Sequence, residues 1–195
     1  MTIALIILLL SAGLLIAGCQ TTRAGYASAP YTVVRTDAGF ELRDYPALAV
    51  VETTTARDAG GTDDSFGRLF RFISGNNADH QKIAMTTPVF MSGGENVGTM
   101  AFVLPAGVAG PQVPRPTDGQ LTVRELPPGR FAVLRYTGGR NAKNESAELS
   151  RLQAWLLQQG LKAAAASPVY GYFDPPWTPW FLRRNEVMLR LASAP

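Results

Sequence analysis

Cysteine and histidine are almost missing from this 195-residue chain, which has one of each. One cysteine cannot form a disulfide within the chain, and a zinc site needs more thiol and imidazole ligands than these. The glycine-rich motifs of nucleotide-binding proteins are absent, and no nucleophile-elbow sequence is present. A Ser-His-Asp triad stays open on residue counts alone. The sequence therefore gives no sign of a disulfide scaffold, a zinc enzyme or a nucleotide-binding enzyme.

Charge is also scarce, because 17% of the residues are charged and the formal net charge is +3 at pH 7. Arginines outnumber lysines, but they are scattered and form neither a run nor a stripe. Domains that bind nucleic acid concentrate positive charge on one face. We therefore expect no nucleic acid partner. The length suits one ordinary domain with a hydrophobic core of its own.

A charge-free apolar run, Ile3–Ile16, lies near the start of the sequence. It is shorter than the roughly 20 residues that cross a bilayer, and it has the character of the apolar segment of a secretory signal. The run ends in Leu-Ile-Ala-Gly-Cys at 15–19, which resembles the lipobox of bacterial lipoproteins. Met1-Thr2 contains no lysine or arginine, which departs from the usual basic start. The alternative is a plain signal peptide or a short anchor helix with an incidental cysteine.

The lipobox resemblance predicts a lipoprotein signal peptide at residues 1–18 and diacylation of Cys19. Several acyl chains anchor a protein stably to a membrane. Gln20, rather than an aspartate, follows the cysteine. In a Gram-negative host this implies an anchor in the outer membrane, with the protein facing the periplasm. Small and polar residues at 19–30 favour a flexible tether, which leaves 31–195 as a single domain.

Apolar periodicity divides the domain into strands and two helices. The helices are predicted at 65–74 and at about 145–159. Strands are predicted at 31–36, 40–44, 47–55, 83–91, 97–104, 121–126 and 131–136, with two more before Asp174 and after Asn185. The order hairpin, helix, strand, strand occurs twice, which predicts a pseudo-two-fold α+β domain. Short strands and tight turns favour a curved antiparallel sheet or distorted β-barrel, flanked by the two helices.

The most unusual stretch joins the last two predicted strands. Asp174–Trp180 holds three prolines, which fix φ and remove hydrogen-bond donors, together with two tryptophans. Large rings on a stiff loop either cap a core or border a pocket. The matching connection of the first half, Ser92–Asn96, is plain. The difference between the two halves favours a functional rim at the second connection.

Several fragments resemble the SOUL / haem-binding protein family, in family order, across Tyr31–Leu191. They are FELRDY at 40–45, KIAMTTPV at 82–89, FVLP at 102–105, PRPTD at 114–118, FAVLRYTGG at 131–139, YFDPP at 172–176 and RNEV at 184–187. The resemblance implies two βαββ halves that form a distorted barrel with two helices. It also implies reversible, non-enzymatic binding of haem or another tetrapyrrole in an open apolar groove. That groove would lie between the first helix and the aromatic loop.

Carried over by position, the resemblance implies six ligand-binding residues: Phe66, Phe70 and Arg71 on the helix, and Trp177, Thr178 and Trp180 on the loop. A porphyrin is a flat apolar disc with two carboxylates, so rings can stack on its faces and an arginine can pair with a propionate. Some family members have a basic residue where Thr178 stands, and Arg183 or Arg184 could replace it. The competing interpretation is structural, with the helix rings in the core and the tryptophans plugging the end of a barrel.

His80 is the one histidine available as an axial iron ligand, but it lies in a polar loop, where an isolated histidine is usually solvated. We therefore assign no metal ligand. Two other functions stay open. One is a small-molecule hydrolase that uses a strand glutamate of raised pKa, with the candidates Glu41, Glu52, Glu125 and Glu186. The other is a structural envelope lipoprotein without a ligand, in which both loop tryptophans are buried.

Overall fold

The computed structural model of the chain describes residues 25–56, 63–93 and 97–192. Its elements are β1 (Ala27–Ser28), β2 (Thr32–Asp37), β3 (Phe40–Tyr45), β4 (Leu48–Ala56), α1 (Ser65–Ile73), β5 (Thr86–Thr87), β6 (Val89–Gly93), β7 (Val97–Val103), β8 (Thr122–Leu126), β9 (Gly129–Tyr136), α2 (Ala142–Gln158), β10 (Val169–Tyr172) and β11 (Asn185–Arg190). The predicted signal peptide, Cys19 and residues 19–24 of the tether lie outside the described residues.

Both predicted helices are confirmed, and α2 begins three residues earlier than expected. Its start is set by Asn141, whose side chain accepts a hydrogen bond from the backbone N–H of Asn144 at 2.9 Å. Its end is set by Gly160, which adopts φ +66° as a helix-terminating glycine does. The predicted strand at 83–91 is shorter and is divided into β5 and β6. Pro88 separates them because it has no N–H to donate to a ladder.

A nine-stranded sheet forms the body of the domain, in the order β2-β3-β9-β11-β10-β6-β7-β4-β8. All of its neighbouring pairs are antiparallel, whereas β1 and β5 form a separate parallel pair. This confirms the α+β class and the curved antiparallel sheet. Within the described residues the sheet is not closed into a barrel, because β2 and β8 are its two edges.

Apart from the edge strand β2, the order of the strands is symmetric, which supports the predicted internal repeat. Exchanging β3 with β8, β4 with β9, β6 with β10 and β7 with β11 reproduces the same order read backwards. The second predicted hairpin is wrong, however, because β8 pairs with β4 and β9 pairs with β3. Pro127 and Pro128 between them lack the N–H groups of a tight turn, and their carbonyls accept hydrogen bonds from Arg190 instead.

The two helices cover one side of the sheet, and each has a cluster of buried residues beneath it. Leu69, Phe72 and Ile73 of α1 pack on β4, β6 and β7. Leu152, Trp155 and Leu156 of α2 pack on β9, β10 and β11. A third cluster lies on the opposite side and includes Val50, Phe90, Ala101, Val133 and Met188.

All three clusters lie between residues 29 and 191, so the chain from residue 25 contains a complete hydrophobic core of its own. Neither helix of this part of the chain has the length and apolar character that a membrane span requires.

Candidate ligand-binding groove

The two central strands, β10 and β6, run between α1 and α2 and form the floor of a groove. Their pairing places Tyr172 beside Val89, and Val89 pairs in turn with Phe102 of β7. Tyr172 packs against the clusters beneath both helices, so its ring lies at the boundary between the two halves. The aromatic loop starts directly after Tyr172, at the end of this floor.

The apolar face of α1 is divided between the core and the groove. Leu69, Phe72 and Ile73 are buried, whereas Phe66 and Phe70 remain 44% and 50% exposed. Residues four apart lie on one face of a helix, and the rings of Phe66 and Phe70 are nearly parallel with centroids 6.1 Å apart. Leu69 therefore lies in the core, and the structural interpretation of the helix rings, Phe66 and Phe70, as core residues is wrong.

The arginines of α1 are engaged within the protein. Arg71 forms an ion pair with Asp64 at 2.7 Å, and both side chains are exposed. The pKa of Asp64 is lowered, chiefly by this hydrogen bond. Arg68 binds the Thr53 side chain at 3.3 Å and the backbone carbonyl of Thr54 at 3.1 Å, and so ties the helix to β4. Arg68 therefore has a structural role, while Arg71 lies at the surface next to Phe70.

The loop between β10 and β11 keeps its tryptophans in solvent. Trp177 is 81% exposed and Trp180 is 64% exposed, and the following Phe181 and Leu182 are also exposed. The interpretation of Trp177 and Trp180 as a buried plug is therefore wrong. The tryptophan that the core does contain is Trp155 of α2, which is stacked on Phe40 with the ring centroids 5.0 Å apart.

The backbone of this loop is held by side chains. Arg183 donates to the carbonyl of Thr178 at 2.7 Å and also binds the carbonyl of Pro176. Asp174 accepts from the N–H of Arg184 at 2.6 Å. The N–H of Gly138 donates to the carbonyl of Trp180 at 3.1 Å, which fixes the loop against the turn before α2.

The helix side of the predicted site is connected to the start of the aromatic loop through neighbouring residues of the sheet. Phe66 rests on Phe102 with the centroids 5.2 Å apart, and Phe102 is joined through Val89 to Tyr172, where the loop begins. Among the described residues no ring contact joins the phenylalanines of α1 to the loop tryptophans. The exposed rings therefore form two separate surfaces, one on α1 and one on the loop.

A polar cluster on the floor and far wall of the groove was missed by sequence reasoning. The hydroxyl of Tyr172 donates to Glu145 of α2 at 2.6 Å, and Arg140 lies over the Tyr172 ring at 5.6 Å from its centroid. Burial, together with the neighbouring Tyr136 and Glu145, raises the pKa of Tyr172. The hydroxyl stays protonated as a result. Arg140, which forms no ion pair within the described part of the chain, lines a small cavity on this floor together with Tyr170 and Tyr172.

Arg183 and Arg184, the predicted replacements for a basic group at Thr178, both form hydrogen bonds within the protein. Arg184 lies over the ring of Phe173, 4.0 Å from its centroid, and is paired with Glu186. Arg183 clamps the loop backbone as described above. Thr178 itself is half-buried, and its N–H donates to the carbonyl of Pro175 at 3.0 Å.

Glu186, the strand glutamate that follows the loop, is fully buried in an ionic cluster. Its two oxygens accept from Arg43 at 2.7 and 3.0 Å, and Arg184 binds it as well. Burial alone would raise the pKa of Glu186, but the two arginines more than offset this, so the pKa lies below its ordinary value. A general base requires the opposite shift.

The other strand glutamates are no better placed for catalysis. Glu41 is paired with Arg43 at 2.6 Å, and Glu52 is paired with Arg124 at 2.7 Å. Glu125 is exposed on β8. The geometry therefore gives no support to a hydrolase that uses a strand glutamate.

His80 lies in the exposed loop after α1. The buried side chain of Asn77 organises this loop by donating to the carbonyls of Phe72 and Gln81 at 2.9 and 2.7 Å. His80 has φ +52°, and its N–H donates to the carbonyl of Asn77 at 3.1 Å. Within 25–56, 63–93 and 97–192 no group of three or more histidine, cysteine or acidic residues could hold a metal ion.

Comparison with solved structures shows that the fold is shared by distant proteins. The C-terminal domain of EcmrR superposes with a TM-score of 0.61 at 12% identity, covering 84% of this chain and 99% of that one. A hydrolase encoded by lin2189 from Listeria innocua gives a TM-score of 0.61 at 10% identity, covering 82% of this chain and 94% of that one. At such identities the similarity establishes the fold alone.

Sequence comparison is more specific. A search of curated proteins gives no significant match. The model of the SOUL heme-binding protein family matches residues 26–190, which include every strand and helix named above. The chain therefore belongs to the SOUL heme-binding protein family.

Proposed function

We propose that this domain binds haem or another tetrapyrrole reversibly, and without catalysis, in the open groove between α1 and the loop after β10. The observation that carries the proposal is the exposure of four aromatic rings on the two elements that the family resemblance assigns to the site: Phe66 and Phe70 on α1, and Trp177 and Trp180 on the loop. Large exposed apolar surfaces on a folded domain mark binding sites. Membership of a heme-binding family supplies the ligand class.

Each part of a tetrapyrrole has a suitable group in the groove. Aromatic rings stack on flat conjugated ligands, and the parallel pair on α1 offers such a surface. Trp177 and Trp180 would cover the other edge of the macrocycle. Arg140, beside Tyr172, would take the role of propionate partner that Thr178 cannot fill. Arg71 could serve as a second partner at the surface end of α1, in competition with Asp64.

We further propose that the domain works at a membrane surface, held by a lipid on Cys19 and facing the periplasm. The support is the lone cysteine directly after an apolar segment that resembles a lipoprotein signal. Metabolic labelling of the expressed chain with a palmitate analogue tests this anchor. Label in the wild type and none in Cys19→Ser is expected, whereas equal label in both would overturn lipidation at this residue.

A hemin titration of the chain from residue 20 onward tests the binding function. Binding at micromolar hemin should shift the Soret band and quench the fluorescence of the exposed tryptophans. Trp180→Ala and Phe70→Ala should weaken binding with unchanged circular dichroism, because both side chains are exposed and support no core contact. Leu157→Ala is the matched control, since Leu157 is 82% exposed on α2.

Two outcomes would contradict the proposal in different ways. Absence of a Soret shift in the wild type would remove tetrapyrrole binding altogether. Equal hemin affinity in the two groove variants and the wild type would place the site elsewhere. His80→Ala should leave the Soret maximum unchanged, and a change in its position would instead identify His80 as an iron ligand.

A further inference from the structure

The side of the sheet that faces away from the helices holds a second groove, which we call the rear groove. Its cavity volume is about 280 Å³, close to the lower end of the roughly 300–1,000 Å³ typical of small-molecule sites. Its apolar lining includes Leu48, Phe90, Leu126, Phe131 and Met188. The ligand groove between the helices uses none of these residues.

The rear groove exists because the sheet curves without closing. β8 forms one edge and pairs with β4, so that Leu126 lies next to Leu48. β9 and β11 lie near the other end of the sheet, where Phe131 pairs with Arg190. Residues of β8 and of β9 line the same cavity, so curvature brings the two ends of the sheet to face each other.

Positive charge lies at the rim of the rear groove, whose lining contains Arg124 and Arg190 and no carboxylate. Arg190 is held by the carbonyls of Pro128 and Pro127 at 2.9 and 2.6 Å and lies 4.9 Å from the centroid of Phe131. An arginine has five N–H donors, and these two bonds leave others available. Arg124 is 47% exposed and uses its Nε to bind Glu52.

The backbone of the preceding turn leaves room for Arg190. A side chain on Gly129 would come within 2.2 Å of the Arg190 guanidinium, so glycine at this position allows the arginine to lie against the turn. The Arg190 side chain is thus held by two carbonyls and a ring, and the glycine leaves the space that it occupies. A charge held in this way is ready to bind an anion without losing further side-chain freedom.

We propose that the rear groove binds a long-chain fatty acid, with its carboxylate on Arg190 and Arg124 and its chain along Leu126, Phe131 and Met188. An apolar cavity whose lining includes two arginines complements one chain with an anionic head. A cavity of this size suits a single chain better than a broad macrocycle. The proposal is independent of tetrapyrrole binding, because the two grooves lie on opposite sides of the sheet.

The test is a titration of the chain from residue 20 onward with a fluorescent polyene fatty acid. Saturable binding at micromolar probe is expected. Ser167→Trp should weaken it at least tenfold, because Ser167 is an exposed loop residue that lines the cavity, and the added ring would occupy it. Ala165→Trp is the matched control, since Ala165 is exposed in the same loop and does not line the cavity.

The charge requirement is tested with the methyl ester of the same probe. The ester should bind more weakly than the acid, and Arg190→Gln and Arg124→Gln should weaken the acid while leaving the ester unchanged. Arg151→Gln is the control, because the Arg151 side chain is exposed on α2. Circular dichroism and the urea midpoint check the fold of each variant.

Three results would overturn the proposal. The first is equal binding by Ser167→Trp and Ala165→Trp, and the second is equal affinity for acid and ester. The third is displacement of the probe by hemin together with loss of hemin binding in Ser167→Trp, which would make the rear groove the tetrapyrrole site. Saturable probe binding by a wild-type chain that shows no Soret shift with hemin would leave this proposal standing and remove only the proposed function.

Discussion

Replacing Glu186 with glutamine should reveal how strongly the buried ionic cluster holds the end of the sheet together. Glu186 has no exposed surface, and Arg43 is only 2% exposed. They join β11 to β3 across the intervening strand β9. Glutamine keeps the size of the side chain and removes its charge, which leaves the buried Arg43 guanidinium with Glu41 as its remaining charged partner, beside the Tyr45 hydroxyl at 3.2 Å and the ring of Tyr31 at 4.2 Å.

The expected loss is large because one partner of a buried ion pair is removed while the other remains. Such changes cost about 3–5 kcal/mol, since the buried Arg43 charge is left in a medium of low polarity with one carboxylate in place of two. For a chain of this length each kilocalorie lowers the melting temperature by about 2–4 °C, so a fall of about 6–20 °C is expected. The loss would be smaller if water reached the cluster, because solvent would then stabilise Arg43.

Urea unfolding followed by circular dichroism measures the change. Asp44→Asn is the matched control, because Asp44 forms a two-pronged pair with Arg130 at 2.7 Å on the surface, where solvent screens both charges. That variant should keep the wild-type midpoint within error. Equal midpoints for Glu186→Gln and Asp44→Asn would refute the reasoning that burial, and not ion pairing alone, decides the loss.

Three further predictions concern stability. The folded-state pKa of Glu186 lies below its ordinary 4.5, so the stability that its charge contributes is present above that value and is lost as pH falls. Urea midpoints below about pH 4.5 should therefore fall less steeply in Glu186→Gln than in the wild type. Parallel slopes in the two proteins would contradict this. Leu69→Ala should lower the free energy of unfolding in urea by about 2–5 kcal/mol, because Leu69 has no exposed surface. A loss under 1 kcal/mol would mean that α1 shifts to fill the cavity. Gly138→Ala should lower the melting temperature through a cost of about 1–3 kcal/mol, since Gly138 has φ +124° and its new methyl group would come within 2.4 Å of Asn144; an unchanged melting temperature would show that the turn can change its backbone.

Local sequence patterns predicted most of the secondary structure. The helices at 65–74 and 145–159 were predicted because their apolar spacing and end signals lie within a few residues of each other. The pairing of β8 with β4 could not be predicted in this way, since it joins Leu126 to Leu48 across most of the first half. Strands that follow each other in sequence usually pair as a hairpin. Only the two prolines between β8 and β9 indicated that these strands do not.

The candidate site was predicted unevenly for a similar reason. Phe66 and Leu69 both fit the apolar stripe of α1, but the sequence does not say which of them faces the groove. In the sequence, Glu145 is an ordinary acidic residue in the first turn of a helix, where a negative charge interacts favourably with the helix dipole. Its bond to Tyr172 depends on a strand 27 residues further on. Exposed tryptophans after a proline-rich turn were the clearest local signal.

The exchange of β3 and β8 between the halves has a consequence for how the chain folds. β3 of the first half pairs with β9 of the second half, and β8 of the second half pairs with β4 of the first. Neither half alone can therefore satisfy the backbone donors of β4 or β9 on both sides. The repeat is therefore not a pair of independent folding units, and its assembly waits for contacts between distant parts of the chain, which slows folding. A chain cut in the connector between β7 and β8 should yield two fragments that remain unstructured apart and fold when mixed.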